Sequence, residues 1–274
     1  DAAGEMLYAR ESVNNLILGV SEGLVRRPDA CQEPFFAAVQ GEDGRAILAV
    51  VMTPPFNLVM GGTEDFDQGI SPLVAHFQAH PIAVPGVIAP EHIAAQFVKV
   101  WLEKRKGAAK ISMRQRVYEL RTVHFPPIPP GHFRLAVGND VPVIGQFIAA
   151  FQHEALGKPG EVNPDLAARA VEGGYVFVWE RAGELVSIAT KNRPIAHAIT
   201  VSRVYTPPAH RRQGYASALV ARLSQHLLNS GYQFINLFTD LANPTSNSIY
   251  QQIGYRPVCD FSMVTFLQDE GAEK

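Results

Sequence analysis

The stretch TPPAHRRQGYASALV, Thr206 to Val220, decides how the chain is read. Pro207 and Pro208 have no N–H for a ladder, and Pro207 biases Thr206 toward an extended backbone, so a strand over Ala198–Thr206 stops pairing while still extended. A helix follows from Tyr215 to Asn229, with Ala216, Leu219, Val220, Leu223 and Leu227 on one apolar stripe and Gly231 just past its end. Between them the N–H groups from Arg211 to Ala216, extending to Ser217, turn into a helix start. There the first four donors lack internal partners and the macrodipole is positive. Gly214 lets backbone approach without a Cβ, Ala216 keeps the next contact small, and Arg211, Arg212 and Gln213 add charge and donors. Two readings follow: a pyrophosphate cradle, or an exposed basic helix start that binds nothing.

Working outward, the second half reads as a strand at Phe133–Val137, a helix at Val141–Ala155, a hairpin of Val176–Trp179 with Leu185–Thr190, and then the strand, loop and helix above. A strand at Phe234–Thr239 follows. The segment NPTSNSIYQQIG is a helix with Asn243 as N-cap, Pro244 first in the helix and Gly254 as terminator, and Phe261–Leu267 closes the sheet. The first half shows a similar order. A helical segment at Ser12–Val25 precedes FFAAVQGEDGRAILAVVMTPPFNLVMGG, which reads as strand, charged turn, strand, proline turn and third strand. Between the halves, HFPPIPPGH forbids helix or central strand. The expected organisation is an α/β (α+β) chain with domains at 1–124 and 132–274 and a stiff linker at 125–131.

Composition sets the broad class. The 274 residues are 47% hydrophobic and 18% charged, without an apolar run near the roughly 20 residues that span a bilayer. A net charge of −2 argues against a nucleic-acid partner, which calls for a basic excess; the cluster Lys104, Arg105, Lys106 reads as a solvated helix end. The two cysteines, Cys31 and Cys259, offer neither a disulfide framework nor a zinc knuckle. With no charged and apolar leader at its start, the expectation is a cytoplasmic protein without a membrane partner. His76 and His80 stand at a metal-ligand spacing, but without an intervening Glu or a third ligand, so no metal is expected.

The loop is neither G-x-x-x-x-G-K nor G-x-G-x-x-G. Its Arg211-x-x-Gly214-x-Ala216 resembles the Q/R-x-x-G-x-G/A signature of the GNAT superfamily of CoA-dependent N-acetyltransferases. Downstream, NPTSNSIYQQIGYRPV is similar to that family's N-x-x-A-x-x-x-Y-x-x-x-G-F element, with Asn243, Ser246, Tyr250, Gly254 and Tyr255 at matching positions. Ala216 for glycine, Ser246 for alanine and Tyr255 for phenylalanine are mild departures. The resemblance covers about residues 132–267 and implies acetyl-CoA as cosubstrate, with an acetyl group passed to an amine on a small molecule or peptide. It implies that the pantetheine arm lies along Val204, Tyr205 and Thr206, the pyrophosphate at Arg211 through Ser217, including Tyr215, and Asn243 near the pantetheine. Tyr250 would donate a proton to the CoA thiolate. The family's usual carboxylate is missing from AHAITVSRVYT, so Glu154 at the end of the preceding helix, or an ordered water, is the candidate base.

The resemblance also implies two GNAT-like domains, each a mixed, mostly antiparallel twisted sheet flanked by helices. In the first half, Glu64, Asp65 and Asp67 stand where a cradle would be and would repel a pyrophosphate. That half is expected to be a degenerate copy without CoA. Two alternatives remain at this point: a silent CoA-binding sensor or scaffold, and an acyltransferase using a longer acyl-CoA.

Overall fold

A computed structural model describes residues 2–105, 107–157 and 159–267; Lys106, the last member of the basic cluster, lies outside them. The chain forms two compact units, one of residues 1–118, 238–243 and 257–274, the other of 119–237 and 244–256. Neither is continuous in sequence.

The first unit begins with α1 (Ala2–Tyr8) and α2 (Asn15–Arg26), then β1 (Phe35–Gln40), β2 (Ala46–Met52), β3 (Leu58–Gly62), α3 (Asp67–Ala79), β4 (Gly86–Pro90), α4 (Glu91–Lys104) and β5 (Ala108–Leu120). Strands β1 to β3 pair antiparallel, whereas β3 and β4 run parallel with α3 between them. All seven residues of β2 are buried, as expected for a strand covered on both faces. Phe77 of α3, with Phe97 and Trp101 of α4, fills the core.

The second unit repeats this order. It contains β6 (His132–Leu135), α5 (Val141–Leu156), α6 (Pro164–Glu172), β7 (Val176–Arg181), β8 (Glu184–Asn192), β9 (Ala198–Tyr205), α7 (Tyr215–Asn229), the first four residues of β10 (Phe234–Asp240) and α8 (Pro244–Ile253). Strands β6 to β9 pair antiparallel and β9 with β10 parallel. Both units thus carry an antiparallel set that ends in a parallel pair with a helix crossing between. Val176 and Val178 of β7 pack with Ile144 and Ile148 of α5, while Phe177 between them meets the His226 ring of α7 at 5.3 Å. The pleat therefore gives α5 and α6 one face of the sheet and α7 the other.

One strand departs from expectation. The sequence closes the second sheet with Phe261–Leu267, but β11 (Arg256–Leu267) pairs antiparallel with β4, Phe261 against Pro90 through Thr265 against Gly86. Its Phe266 ring stacks on Trp101 at 4.9 Å. Gly86 makes this pairing possible: a Cβ there would stand 2.1 Å from the Val264 carbonyl. The linker is anchored within the second unit, where the Trp179 indole donates to Pro130 O at 3.1 Å.

Candidate active site

The parallel pairing of β10 with β9 runs from Phe234–Ala198 to Leu237–Val201 and ends there. Strand β9 continues as Ser202–Tyr205 against β8 alone, leaving the edge of that stretch without a β10 partner. The Pro207–Pro208 pair prevents any further ladder, and Pro208–His210 makes one tight turn before α7 begins. Gly214 is the residue before the helix, at φ +83°, with open space where a Cβ would be. Arg212 is left-handed too, at φ +60°. Paired left-handed positions of this kind turn successive N–H groups into one concavity.

The donors divide sharply. The Arg211 N–H bonds to Pro208 O at 3.3 Å and belongs to the tight turn, so the cradle starts one residue later than the sequence suggests. The amides of Arg212, Gln213, Gly214, Tyr215, Ala216 and Ser217 find no acceptor among the described residues, and the next, Ala218, bonds to Gly214 O at 3.0 Å. Tyr215 is buried and Ala216 and Ser217 are half-buried, so the packed stripe of α7 runs through Tyr215, Ala218, Leu219 and Leu223. Ala216, expected inside, sits on the cradle side.

Side chains of the loop are mostly occupied with holding it. The Arg211 guanidinium donates through Nε to Thr206 O at 2.8 Å and through Nη2 to Glu154 at 2.6 Å. The other Glu154 oxygen accepts from Tyr205 Oη at 3.0 Å, so the end of α5, the end of β9 and the loop are tied together. Burial and the Glu154 carboxylate both raise the Tyr205 phenol. Gln213 folds back, giving its Nε2 to Ala209 O and accepting on Oε1 from Tyr215 Oη and Arg181. Arg181, which the sequence does not single out, donates to Tyr215 Oη at 2.8 Å; a turn arginine in ERAGE carries no signal of that role. Thr206 is held by Ser187, hydroxyl to hydroxyl, at 2.9 Å. Arg212 alone of the loop's charged side chains is exposed and unengaged among the described residues.

The second motif folds as α8, with Pro244 first and Gly254 beyond its end at φ +109°. Asn243 stands exposed just ahead of it, and Ser246 is half-buried in its first turn. Tyr250 is buried, its ring edge-on to Tyr255 at 5.9 Å, and burial pushes its phenol up to about 12. Tyr255 Oη pairs with Ser224 Oγ of α7 at 2.8 Å, joining the two motif helices.

Among the described residues the first unit shows no such run of unengaged amides at the matching turn. At the matching turn, Thr63 N–H goes to Ile47 O, Asp65 N–H to Thr63 Oγ1 and Gln68 N–H to Asp65 O, beside Glu64, Asp65 and Asp67. These donors are turned inward, and the charge beside them has the wrong sign for an anion. The His76 and His80 rings stack at 4.3 Å, with His80 Nδ1 against His76 O. No group of three metal-ligating side chains occurs among the described residues.

An open mixed sheet with a parallel pair that parts ahead of an amide-lined helix start is the arrangement that the sequence resemblance to the GNAT superfamily implies. The model of the acetyltransferase (GNAT) family matches residues 146–255, so this segment is a GNAT domain and the protein an acyltransferase. No curated protein matches the chain in sequence. Among solved structures, a Drosophila protein aligns with a TM-score of 0.66 at 13% identity, covering 93% of this chain and 89% of its own. A GCN5-related N-acetyltransferase from Kribbella flavida aligns at 0.59 and 15%, covering 93% and 98%. A tandem GNAT protein from the clavulanic acid biosynthesis pathway aligns at 0.55 and 11%, covering 95% and 89%, which extends the likeness in fold across both halves. No helix among the described residues is long and apolar enough to cross a membrane.

Proposed function

We propose that the chain is an N-acetyltransferase that moves an acetyl group from acetyl-CoA directly to an amine of a small molecule or peptide in the cytoplasm. The observation that carries this is the run of six unengaged amides, Arg212 to Ser217, at the start of α7, directly after a strand edge with no partner. Pyrophosphate takes those amides, with Arg212 adding charge. Backbone groups alternate between the two sides of a strand; with the Tyr205 carbonyl occupied by Ser187 and that of Thr206 by Arg211, Val204 offers its N–H and C=O to the pantetheine arm and the thioester oxygen.

In the reaction the amine nitrogen attacks the thioester carbonyl. The C–N bond forms, the C–S bond breaks, the nitrogen loses a proton to water and the thiolate takes one from Tyr250. A phenol raised to about 12 is protonated throughout the neutral range and suits that last step. Glu154 serves as a tether: both its oxygens already accept hydrogen bonds, from Tyr205 and Arg211, and neither is aimed at a substrate proton. Holding Arg211 in place fixes the carbonyl of Thr206 and so the register of the strand edge. Asn243 and Ser246, ahead of and within the first turn of α8, are the motif residues that the family resemblance assigns to the cofactor. The first unit binds no CoA in this reading.

Thermal unfolding with acetyl-CoA, CoA and ATP in parallel tests the reading. Ligand at about 100 times its dissociation constant adds roughly 2.7 kcal/mol, a rise of about 5–11 °C. A shift with acetyl-CoA and CoA, absent with ATP and lost in Gly214→Glu, is expected; no shift with either thioester or thiol at millimolar concentration would overturn it. Release of free CoA on adding an amine distinguishes an enzyme from a binding scaffold.

A further inference from the structure

Arg203 stands one residue before the proposed acyl site at Val204 and has no part in holding CoA, and Arg193 follows the neighbouring strand β8. On β9, Tyr205 faces Ile188 and Ser202 faces Thr190, three steps against two on β8, so β9 carries one extra residue. The extra residue is accommodated at Arg203, whose φ is +46°. A bulge bends a strand and re-aims a side chain, and a non-glycine residue in the left-handed region is strained. Glycine or asparagine would fill such a position at lower cost. A long cation stands there instead, one residue before Val204.

Arg193, the first residue after β8, is left-handed as well, at φ +47°. Burial, then the charge of Arg203, lowers its guanidinium to about 10. Burial lowers Arg203 too, and among the described residues Arg203 makes no ion pair and no side-chain hydrogen bond. The flank is rigid: Asn192 Nδ2 donates to Ser202 Oγ at 2.7 Å, and Ser202 Oγ meets Thr190 Oγ1 at 3.0 Å. Two half-buried cations of one sign, with Arg203 unneutralised, raise each other's energy until an anion arrives.

We propose that Arg203, reinforced by the charge of Arg193, receives a carboxylate of the acceptor, so that the amine accepted is an amino acid or similar short amino-carboxylic acid. This rests on the acetyl-CoA reading, which puts the thioester at Val204. In this proposal one short molecule spans from the Arg203 guanidinium, which holds its carboxylate, to the thioester at the adjacent Val204, which its nitrogen attacks. A polyamine or an amine without an acid is repelled by the same pair.

The test uses the full chain with saturating acetyl-CoA and follows thiol release with the twenty common amino acids, each paired with its carboxamide, and with spermidine. At least one acid should exceed its carboxamide at least tenfold in kcat/KM. Arg203→Gln should raise KM for that acid at least tenfold with a much smaller change in kcat, Arg203→Lys should recover part of the loss, and the thermal shift with CoA should be the same in all three proteins. Carboxamides or spermidine used as well as the acids, or an Arg203→Gln enzyme that keeps the preference, would overturn the proposal. A wild-type chain that shifts with CoA yet acetylates none of the acids overturns this proposal alone, and one that does not shift overturns the cofactor reading with it.

Discussion

Gly214 shows how much one residue decides at this site. At φ +83° it is held where a side chain is strained although the space beside it is empty. Gly214→Ala should therefore cost about 1 kcal/mol of stability through the backbone alone while leaving the CoA-induced thermal shift largely intact, whereas Gly214→Glu should lose both. Equal loss of the shift in the two variants would mean that helix entry geometry, not charge or bulk at the cradle, governs binding. Tyr250 is the other test at this scale. Tyr250→Phe should lower kcat by about 10²-fold or more with the CoA shift preserved. Because the phenol is raised to about 12, no decline in rate between pH 7 and 10 should trace to its ionisation; a basic limb in that range that disappears in Tyr250→Phe would contradict its burial. The turn at Gly214, the helix that carries Tyr250 and the run of amides were legible in the sequence because glycine, proline and the spacing of the two motifs leave few backbone solutions. The hydrogen bonding of Glu154 was not, since only the folded chain brings residue 154 to residue 211.

At the scale of elements, periodicity placed α7 at its observed ends and β9 within a residue of them. It missed α6, although Asn163 caps that helix by accepting from Leu166 N at 2.9 Å and Pro164 opens it; both signals were present in the sequence, in a short polar segment where the apolar stripe is thin. What joins β6, β7 and α5 was invisible in one dimension. Arg134 donates bidentately to Asp140 at 2.6 and 2.9 Å and to Glu180 at 2.6 Å, while Asp140 also accepts from Val137 N–H at 2.8 Å. The Arg134 guanidinium and the Val137 amide hold the Asp140 carboxyl below its usual range. A depressed carboxyl stabilises the fold above the unfolded value of about 4 and loses that contribution as pH falls through its folded value. Asp140→Asn should thus cost about 1–3 kcal/mol at pH 7, and the gap to wild type should narrow in acid below pH 4. A gap that stays constant from pH 7 to pH 3 in thermal unfolding would show that shape rather than charge matters at Asp140.

Over the whole molecule, the duplication of strand, hairpin, parallel pair and crossing helix was readable because each half must bury the same pattern of apolar faces. The allegiance of β11 was not. Its alternation of apolar and polar residues does not choose its partner strand; the choice depends on Gly86, 179 residues before its partner Thr265, and Trp101, 165 residues before Phe266. The consequence concerns how the chain can be divided. A fragment from residue 125 onward contains the whole match to the family and every residue assigned to CoA, yet its last strand has lost β4, the Trp101 stack and the Arg116–Asp260 ion pair at 2.6 Å. An unpaired strand bearing Phe261, Val264 and Phe266 is an aggregation-prone edge. The fragment 125–274 should therefore be far less soluble and should unfold at lower temperature than the intact protein, and a fragment 125–256 lacking β11 should be the more soluble of the two. Sedimentation and thermal unfolding of both fragments beside the full chain measure this directly. If 125–274 is monomeric and as stable as the intact protein, β11 is able to fold back onto the second unit, and its pairing with β4 is one of two arrangements the sequence supports.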